Sequence, residues 1–353
     1  MNFGNVKQLP REGIHKILVR GTNWIGDAVM TLPAMTSIRA TYPQAHIAVL
    51  VKPLVADIYR LFSGADAIIP YDRKFDTPTG VLRLARTLKK ENFGLAILLQ
   101  NAIEAAIIAL AAGIPWRAGY DSDGRGLLLT HRVRRTEKIK KVHQVDYYLE
   151  MVKALGGLEV HREMHLETKI KNSDAEDVLR TYVPASNKTL IGIAPGATYG
   201  AAKRWFPERF ADVVDELDKT YSIQCILLGG KGDGEAAQKV QKKAKTTLVN
   251  LAGKTSLREA IHLISRCRLF ISNDSGLMHI AGALNIPTIA IFGSTNPLTT
   301  SPMGGKSVIV RKDVPCSPCL KKNCPTDFRC MDLVSVKDVL HSAQNLMTLA
   351  ESE

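Results

Sequence analysis

Short apolar runs recur along the chain, each pair separated by enough residues for one helix. In the first half they are 16–20 "KILVR", 46–51 "HIAVLV", 66–70 "DAIIP" and 95–99 "LAILL". A second series follows at 189–194 "TLIGIA", 223–228 "IQCILL", 247–251 "TLVNL", 268–272 "RLFIS", 287–292 "PTIAIF" and 307–311 "SVIVR". Between them, stretches such as "AVMTLPAMTSIRATY", "ADVVDELDKTY" and "SLREAIHLISRC" repeat their apolar residues at the helical period. Strands apolar on both faces, alternating with helices, predict parallel sheets covered on both sides. The series starts afresh after the polar "PASNKT" at 184–189, so two doubly wound α/β domains are expected, with a linker near 180–188.

The length of 353 residues suits two such cores. No apolar run reaches the roughly 18 residues of a membrane span. The polar start "MNFGNVKQLPREG" lacks the apolar stretch of a signal peptide, which predicts a cytoplasmic protein. The formal charge is +13, shared by both halves, and one segment concentrates it. "RGLLLTHRVRRTEKIKK", 125–141, holds Arg125, Arg132, Arg134, Arg135, Lys138, Lys140 and Lys141 against Glu137. A solvated face, an anionic substrate or an anionic membrane surface would each suit it. Nucleic acid fits less well, because no aromatic-basic or helix-turn-helix signature accompanies the charge.

Candidate chemistry lies at the ends of the predicted strands, where open α/β sheets bind ligands. "GTNWIGDAVM", 21–30, follows the first strand and opens a helix. Its Asp27 is either an N-cap or a carboxylate at the mouth of a cleft. "IGIAPGATYGAAKRWFPERFADVV", 191–214, reads as strand, glycine-rich loop, basic pair and helix. Gly196 and Gly200 permit close backbone approach, and Lys203 and Arg204 place cations ahead of a helix, which favours a phosphate. "FISNDSGLMHIAGALNIPTIAIFGSTNP", 270–297, ends a buried strand in Asn273-Asp274-Ser275-Gly276, with His279 four residues after Ser275. With "FGSTNP" beside it, this forms a polar rim suited to a nucleotide diphosphate.

Other motifs are excluded. "GTNWIG" is not GxGxxG, and "AGKTS" has Leu248 where a Walker A loop needs glycine. "DSDGRG" puts Arg125 and Arg132 where a calcium loop needs oxygen ligands, so a turn is expected. No GxSxG supports a Ser–His hydrolase. Cys316, Cys319, Cys324 and Cys330 fall within fifteen residues as one CxxC and two further cysteines, a candidate structural zinc knot or a set of reduced thiols.

"RGTNWIGDAVMTLPAM", "GYDSDGRGLLLTHRV", "IAPGATYGAAKRWFPERFA", "LAGKTSL" and "NDSGLMHIAGALNIPTIAIFGSTNP" occur in the order found in bacterial lipopolysaccharide heptosyltransferases. From about residue 15 onward the chain resembles that family, most of all its type II branch. The resemblance implies an α/β GT-B glycosyltransferase fold: two Rossmann-like domains whose parallel sheets face a central cleft. Residues 1–183 would bind the acceptor and 184–334 the donor ADP-heptose, with a C-terminal helix, about 335–353, packing back on the first domain. It implies inverting, metal-independent transfer with no cofactor and with Asp27 as general base. Lys203 would be both catalytic and phosphate-binding. Gly196, Thr198, Arg204, Asp274, Ser275, Gly276 and His279 would complete the donor site, with Asp233 or Glu235 on the ribose. Asn23, Trp24, Gly26, Arg125, Arg132, Arg134 and Arg135 would meet an anionic inner-core acceptor of Kdo or heptose on lipid A. The enzyme would work at the cytoplasmic face of the inner membrane, without nucleic acid. The rival readings are type I or a later-acting sibling with another acceptor, and a nucleotide-binding module without activity.

Overall fold

The computed structural model describes residues 6–61, 64–72, 77–159 and 170–349. The chain divides into two compact units, Met1–Lys169 and Ile170–Glu353. The first unit opens with β1 (Lys16–Arg20), α1 (Ile25–Met30), α2 (Leu32–Thr41), β2 (His46–Val51), α3 (Ala56–Leu61) and β3 (Ala67–Pro70). It continues with α4 (Pro78–Lys90), β4 (Leu95–Leu98), α5 (Ile103–Ala111), β5 (Trp116–Tyr120), β6 (His131–Val133) and α6 (Gln144–Ala154). The second unit runs through α7 (Asn172–Tyr182), β7 (Thr189–Ala194), α8 (Pro207–Tyr221), β8 (Ile223–Leu227), α9 (Gly234–Lys243), β9 (Leu248–Asn250) and α10 (Leu257–Ile264). It closes with β10 (Leu269–Asn273), α11 (Gly276–Ala283), β11 (Thr288–Ile291), α12 (Pro297–Thr300), β12 (Ser307–Val310), α13 (Arg329–Asp332) and α14 (Val336–Leu349).

Each unit holds one six-stranded sheet, ordered β3-β2-β1-β4-β5-β6 in the first and β12-β11-β10-β7-β8-β9 in the second. Every described strand pair is parallel, with helices on the crossovers. This is the doubly wound Rossmann order, run twice. In each sheet the chain reverses its direction of travel between two central strands, β1 and β4 in one and β7 and β10 in the other. Ligands bind such sheets outside the carboxyl ends at that reversal.

The continuous stretch "AVMTLPAMTSIRATY" does not form one helix. Pro33 lacks an N–H and sits at the start of α2, so the chain breaks at Thr31, whose hydroxyl donates to the Ala28 carbonyl at 2.6 Å. The domain boundary also differs from the expected 183/184. Helix α7 packs on α10, and the Tyr182 hydroxyl donates to Glu259 Oε1 at 2.9 Å, so these residues belong to the second unit.

The C-terminal helix corrects a second expectation. It packs on α8 and on the β10–β12 side of its own sheet, burying Val339, Ala343, Leu346 and Met347 in the second core. Its first turn is fixed locally. Ser335 and Asp338 cap each other, with Ser335 N–H to Asp338 Oδ2 at 2.8 Å and Asp338 N–H to Ser335 Oγ at 3.2 Å. Lys312 Nζ lies 2.7 Å from Asp338 Oδ1. Residues 350–353 of the expected helix lie outside the described ones.

Candidate active site

In the first unit the chain leaves β1 through Gly21, where a side chain would not fit. A Cβ there would sit 2.5 Å from Val51 Cγ1 and 2.9 Å from the Tyr59 hydroxyl. Arg20 is buried and holds this exit in place: its Nη1 donates to the Gly21 carbonyl at 2.6 Å, and its Nη2 to Asn23 Oδ1 at 3.1 Å. Burial pulls the Arg20 guanidinium down to about 10, with Glu104 opposing, so it keeps its charge at neutral pH. Sequence reading passed over Arg20 because an arginine ending an apolar run looks like a surface residue.

Asp27 is the third residue of α1 and is half-buried. The N-cap position belongs to Trp24, which makes no side-chain cap bond and is 60% exposed. Asp27 is therefore not the cap. Its charge reaches Tyr148, whose phenol is held well above its ordinary value, first by burial and then by Asp27, with Arg135 acting in the opposite direction. Asp27 and Arg135 thus act on the same buried tyrosine with opposite sign. Arg135 also lies 5.6 Å from the Tyr147 ring centroid, and its backbone N–H donates to Asp121 Oδ1 at 2.7 Å.

The other basic residues of this segment separate by burial. Arg132 and Arg134 are exposed. Arg125 is fully buried, which removes it from the expected acceptor contacts. Its Nε donates to the Tyr120 carbonyl at 2.7 Å, Nη2 to Leu98 O at 3.3 Å, and Nη1 to Gln100 O. Burial lowers its guanidinium to about 10. The "DSDGRG" turn, with Asp123 and Gly124 both at positive φ, folds it back onto the carboxyl ends of β4 and β5. Arg125→Met should cost about 1–3 kcal/mol for each carbonyl left dry. Denaturant titration should show that loss, while the acceptor KM of the folded fraction stays at the wild-type value.

In the second unit, the loops after β7 and β10 converge. Lys203 Nζ lies 2.6 Å from Asp274 Oδ2; the carboxylate is buried and the lysine half-buried. The Thr295 hydroxyl donates to the same oxygen at 2.6 Å, which brings in the loop after β11. Asn273 ties the two loops together: its Nδ2 donates to the Pro195 carbonyl at 2.8 Å, and its Oδ1 accepts the Trp205 N–H at 2.9 Å. The Tyr199 ring centroid is 5.0 Å from Lys203 Nζ. Thr295 and Tyr199 were not singled out from sequence, although both stand inside the quoted motifs, and Asn273 was named there without a role. An ammonium has three donors, and the Asp274 bond uses one.

The remaining donor candidates take different places. Gly196 is required: a Cβ there would fall 2.1 Å from the Asp233 carboxyl carbon. Asp233 is buried against that glycine, and its Oδ2 accepts the Gly230 N–H at 2.9 Å. Glu235 points away, paired with Lys239 at 2.8 Å on the exposed face of α9. Arg204 folds back on the Ala197 carbonyl, with Nη2 at 3.2 Å. Ser275 precedes α11 and shares a hydrogen bond of 2.9 Å with Ser272. Gly276 begins that helix, His279 is buried one turn along it, and Thr198 is exposed.

The four-cysteine segment braces this site from outside. The Tyr199 hydroxyl donates to the Leu320 carbonyl at 2.8 Å, and the Ala202 N–H donates to the Lys322 carbonyl at 2.9 Å. Cys316, Cys319, Cys324 and Cys330 are free thiols. Among the described residues no group of three or more His, Cys, Asp and Glu side chains is placed to hold a metal ion. Cys330 packs into the second core, and burial followed by the neighbouring Cys316, Cys319 and Cys324 raises its thiol above the ordinary value.

Residues 81–328, more than half of the chain, match the model of glycosyltransferase family 9 (heptosyltransferase). The chain belongs to that family. It is 30% identical over 312 residues to lipopolysaccharide heptosyltransferase 2 of Escherichia coli (strain K12), covering 84% of this chain and 88% of the relative. It is 31% identical over 322 residues to lipooligosaccharide heptosyltransferase 2 of Haemophilus influenzae, covering 84% and 88%. The solved structure of E. coli ADP-heptose LPS heptosyltransferase II superposes with a TM-score of 0.82 at 27% identity, covering 95% of this chain and 99% of the other. The glycosyltransferase accordingly has the GT-B type of architecture, two parallel sheets of six strands flanked by helices.

Proposed function

We infer that this glycosyltransferase moves heptose from ADP-heptose to the inner core of lipopolysaccharide. The observation that carries the reading is the Lys203–Asp274 pair at the reversal of the second sheet, where a fixed cation stands beside the start of α11. A leaving diphosphate gains negative charge as the glycosidic bond breaks, and a preorganised cation meets that charge without reorganisation. The relatives' names supply the sugar, the nucleotide and the acceptor class. Asp233, lying against Gly196, is the better placed of the two acids for the ribose.

In the first unit Asp27 is assigned as general base for the acceptor hydroxyl. The hydroxyl oxygen attacks the anomeric carbon on the face opposite the leaving group, its proton passes to Asp27, and the bond to the diphosphate breaks to release ADP with inversion. Arg135, half-buried over the Tyr147 ring and acting on the same buried Tyr148 as Asp27, is assigned to an anionic group of the acceptor, and Arg132 and Arg134 add charge from the surface.

The decisive assay is turnover of ADP-heptose against a panel of truncated inner-core acceptors. ADP release should follow one acceptor length, which would also separate type II from type I. No release with any member rejects the reading. Metal is not needed in this scheme, because Lys203 supplies the compensation that a divalent ion would otherwise give. Turnover in excess EDTA should equal that of untreated enzyme, and a loss that magnesium restores would reject metal independence.

A further inference from the structure

Along its outward side α5 carries an apolar stripe, with the half-buried Glu104 of its first turn at one edge. Its inward residues Ala105, Ala106, Ile108 and Ala109 are buried in the core of the first unit. On the other side stand Ile103, Ile107 and Leu110, exposed at 41%, 42% and 45%. Their i, i+4, i+7 spacing puts them in one stripe. A surface helix ordinarily gives that stripe to charged and polar residues. The 3₁₀ turn Arg125–Leu128 packs beside α5 and adds Leu127, 92% exposed. Scattered exposed apolar residues need no explanation, but a contiguous group marks an interaction site.

The neighbouring helix supplies charge of one sign. Helix α4 packs on α5 and turns Arg83, Arg86, Lys89 and Lys90 to solvent, with no acidic residue along its length. Among the described residues no helix is long and apolar enough to cross a membrane, so any bilayer contact by these helices is made from its surface. Apolar side chains flanked by lysine and arginine are what an interfacial element needs: the first enter the headgroup–acyl boundary, the second meet acidic headgroups. An ordinary protein interface depletes lysine, and a protein partner would need acidic groups to match Lys89 and Lys90 as well as the two arginines.

We propose that α4, α5 and Leu127 form a docking face for an anionic lipid bilayer. The choice of a bilayer as occupant draws on the lipid-borne acceptor of the reading above, and the experiment below does not depend on that reaction.

The full-length protein should cosediment with vesicles of phosphatidylethanolamine and phosphatidylglycerol, and not with vesicles of phosphatidylcholine alone. Ile107→Gln/Leu110→Gln should weaken binding by about tenfold or more, since two side chains leave the acyl boundary. Arg83→Glu/Arg86→Glu should weaken it by at least about fivefold for each cation lost, more so at low salt. Lys242→Glu/Lys243→Glu, at the exposed end of α9, changes net charge equally and should bind as wild type. All variants should turn over an acceptor stripped of its acyl chains at the wild-type rate. If wild type itself fails on that acceptor, the reaction assignment falls while the vesicle data still judge the docking face. The proposal is overturned if anionic vesicles do not bind, or if the α9 pair loses binding as the α4 pair does. It is also overturned if Ile107→Gln/Leu110→Gln dissociates a concentration-dependent dimer and leaves vesicle binding intact, which would make the stripe a self-association face.

Discussion

Asp27→Asn should lose roughly 10²–10⁴ in kcat while the protein stays folded and binds ADP as before. A sugar hydroxyl is a poor nucleophile, and a positioned carboxylate takes its proton as the new bond forms. The amide cannot. The structural role of Asp27 is small by comparison. It is not the N-cap of α1, so no capping bond is lost, and the attraction between its charge and the helix start is worth about 0.3–1 kcal/mol. Melting temperature and kcat therefore separate cleanly: a slight shift in the first, a large fall in the second. Near-normal turnover would reject Asp27 as the base.

Lys203→Ala should lower kcat by roughly 10²–10³, the usual loss for one preorganised group acting on developing charge. It should also cost stability, because Asp274 would then stay buried with only Thr295 donating to it. Breaking one side of a buried ion pair commonly costs about 3–5 kcal/mol. A second variant keeps the two effects apart. Lys203→Ala/Asp274→Asn removes the stranded charge and should recover much of the melting temperature without recovering turnover. Turnover that recovers with stability would make the lysine a scaffold residue.

The strands that form both sheet centres were legible because they are apolar on both faces and stand alone between polar segments. The strands β5 and β6 were not. "WRAGY" and "HRV" carry arginines at positions that the alternating register sends out of the core, and the second lies inside a basic run that reads as loop. Charge counting failed on the same run. Arg125 and Arg132 look alike in sequence, and only the left-handed turn before Arg125 decides that one is buried and the other solvated. The donor site was easier, since its residues sit in two short motifs at strand ends. What those motifs conceal is which polar side chain does which work. Asn273 and Asp274 are adjacent, and one holds backbone while the other holds Lys203.

That division of labour bears on how the enzyme can change. Asn273 grips Pro195 and Trp205 through main-chain atoms alone, and those atoms are present whatever side chains the intervening loop carries. The loop's ends are thereby anchored independently of its composition. Thr198 and Ala201 can drift to suit a different sugar or nucleotide without moving the strand-end frame on which Lys203 is mounted. At both of its ends the segment is held by one side-chain amide, beside the main-chain bond from Ala202 to Lys322, and it is Asn273, which touches no reacting atom in this scheme, that such drift must leave alone.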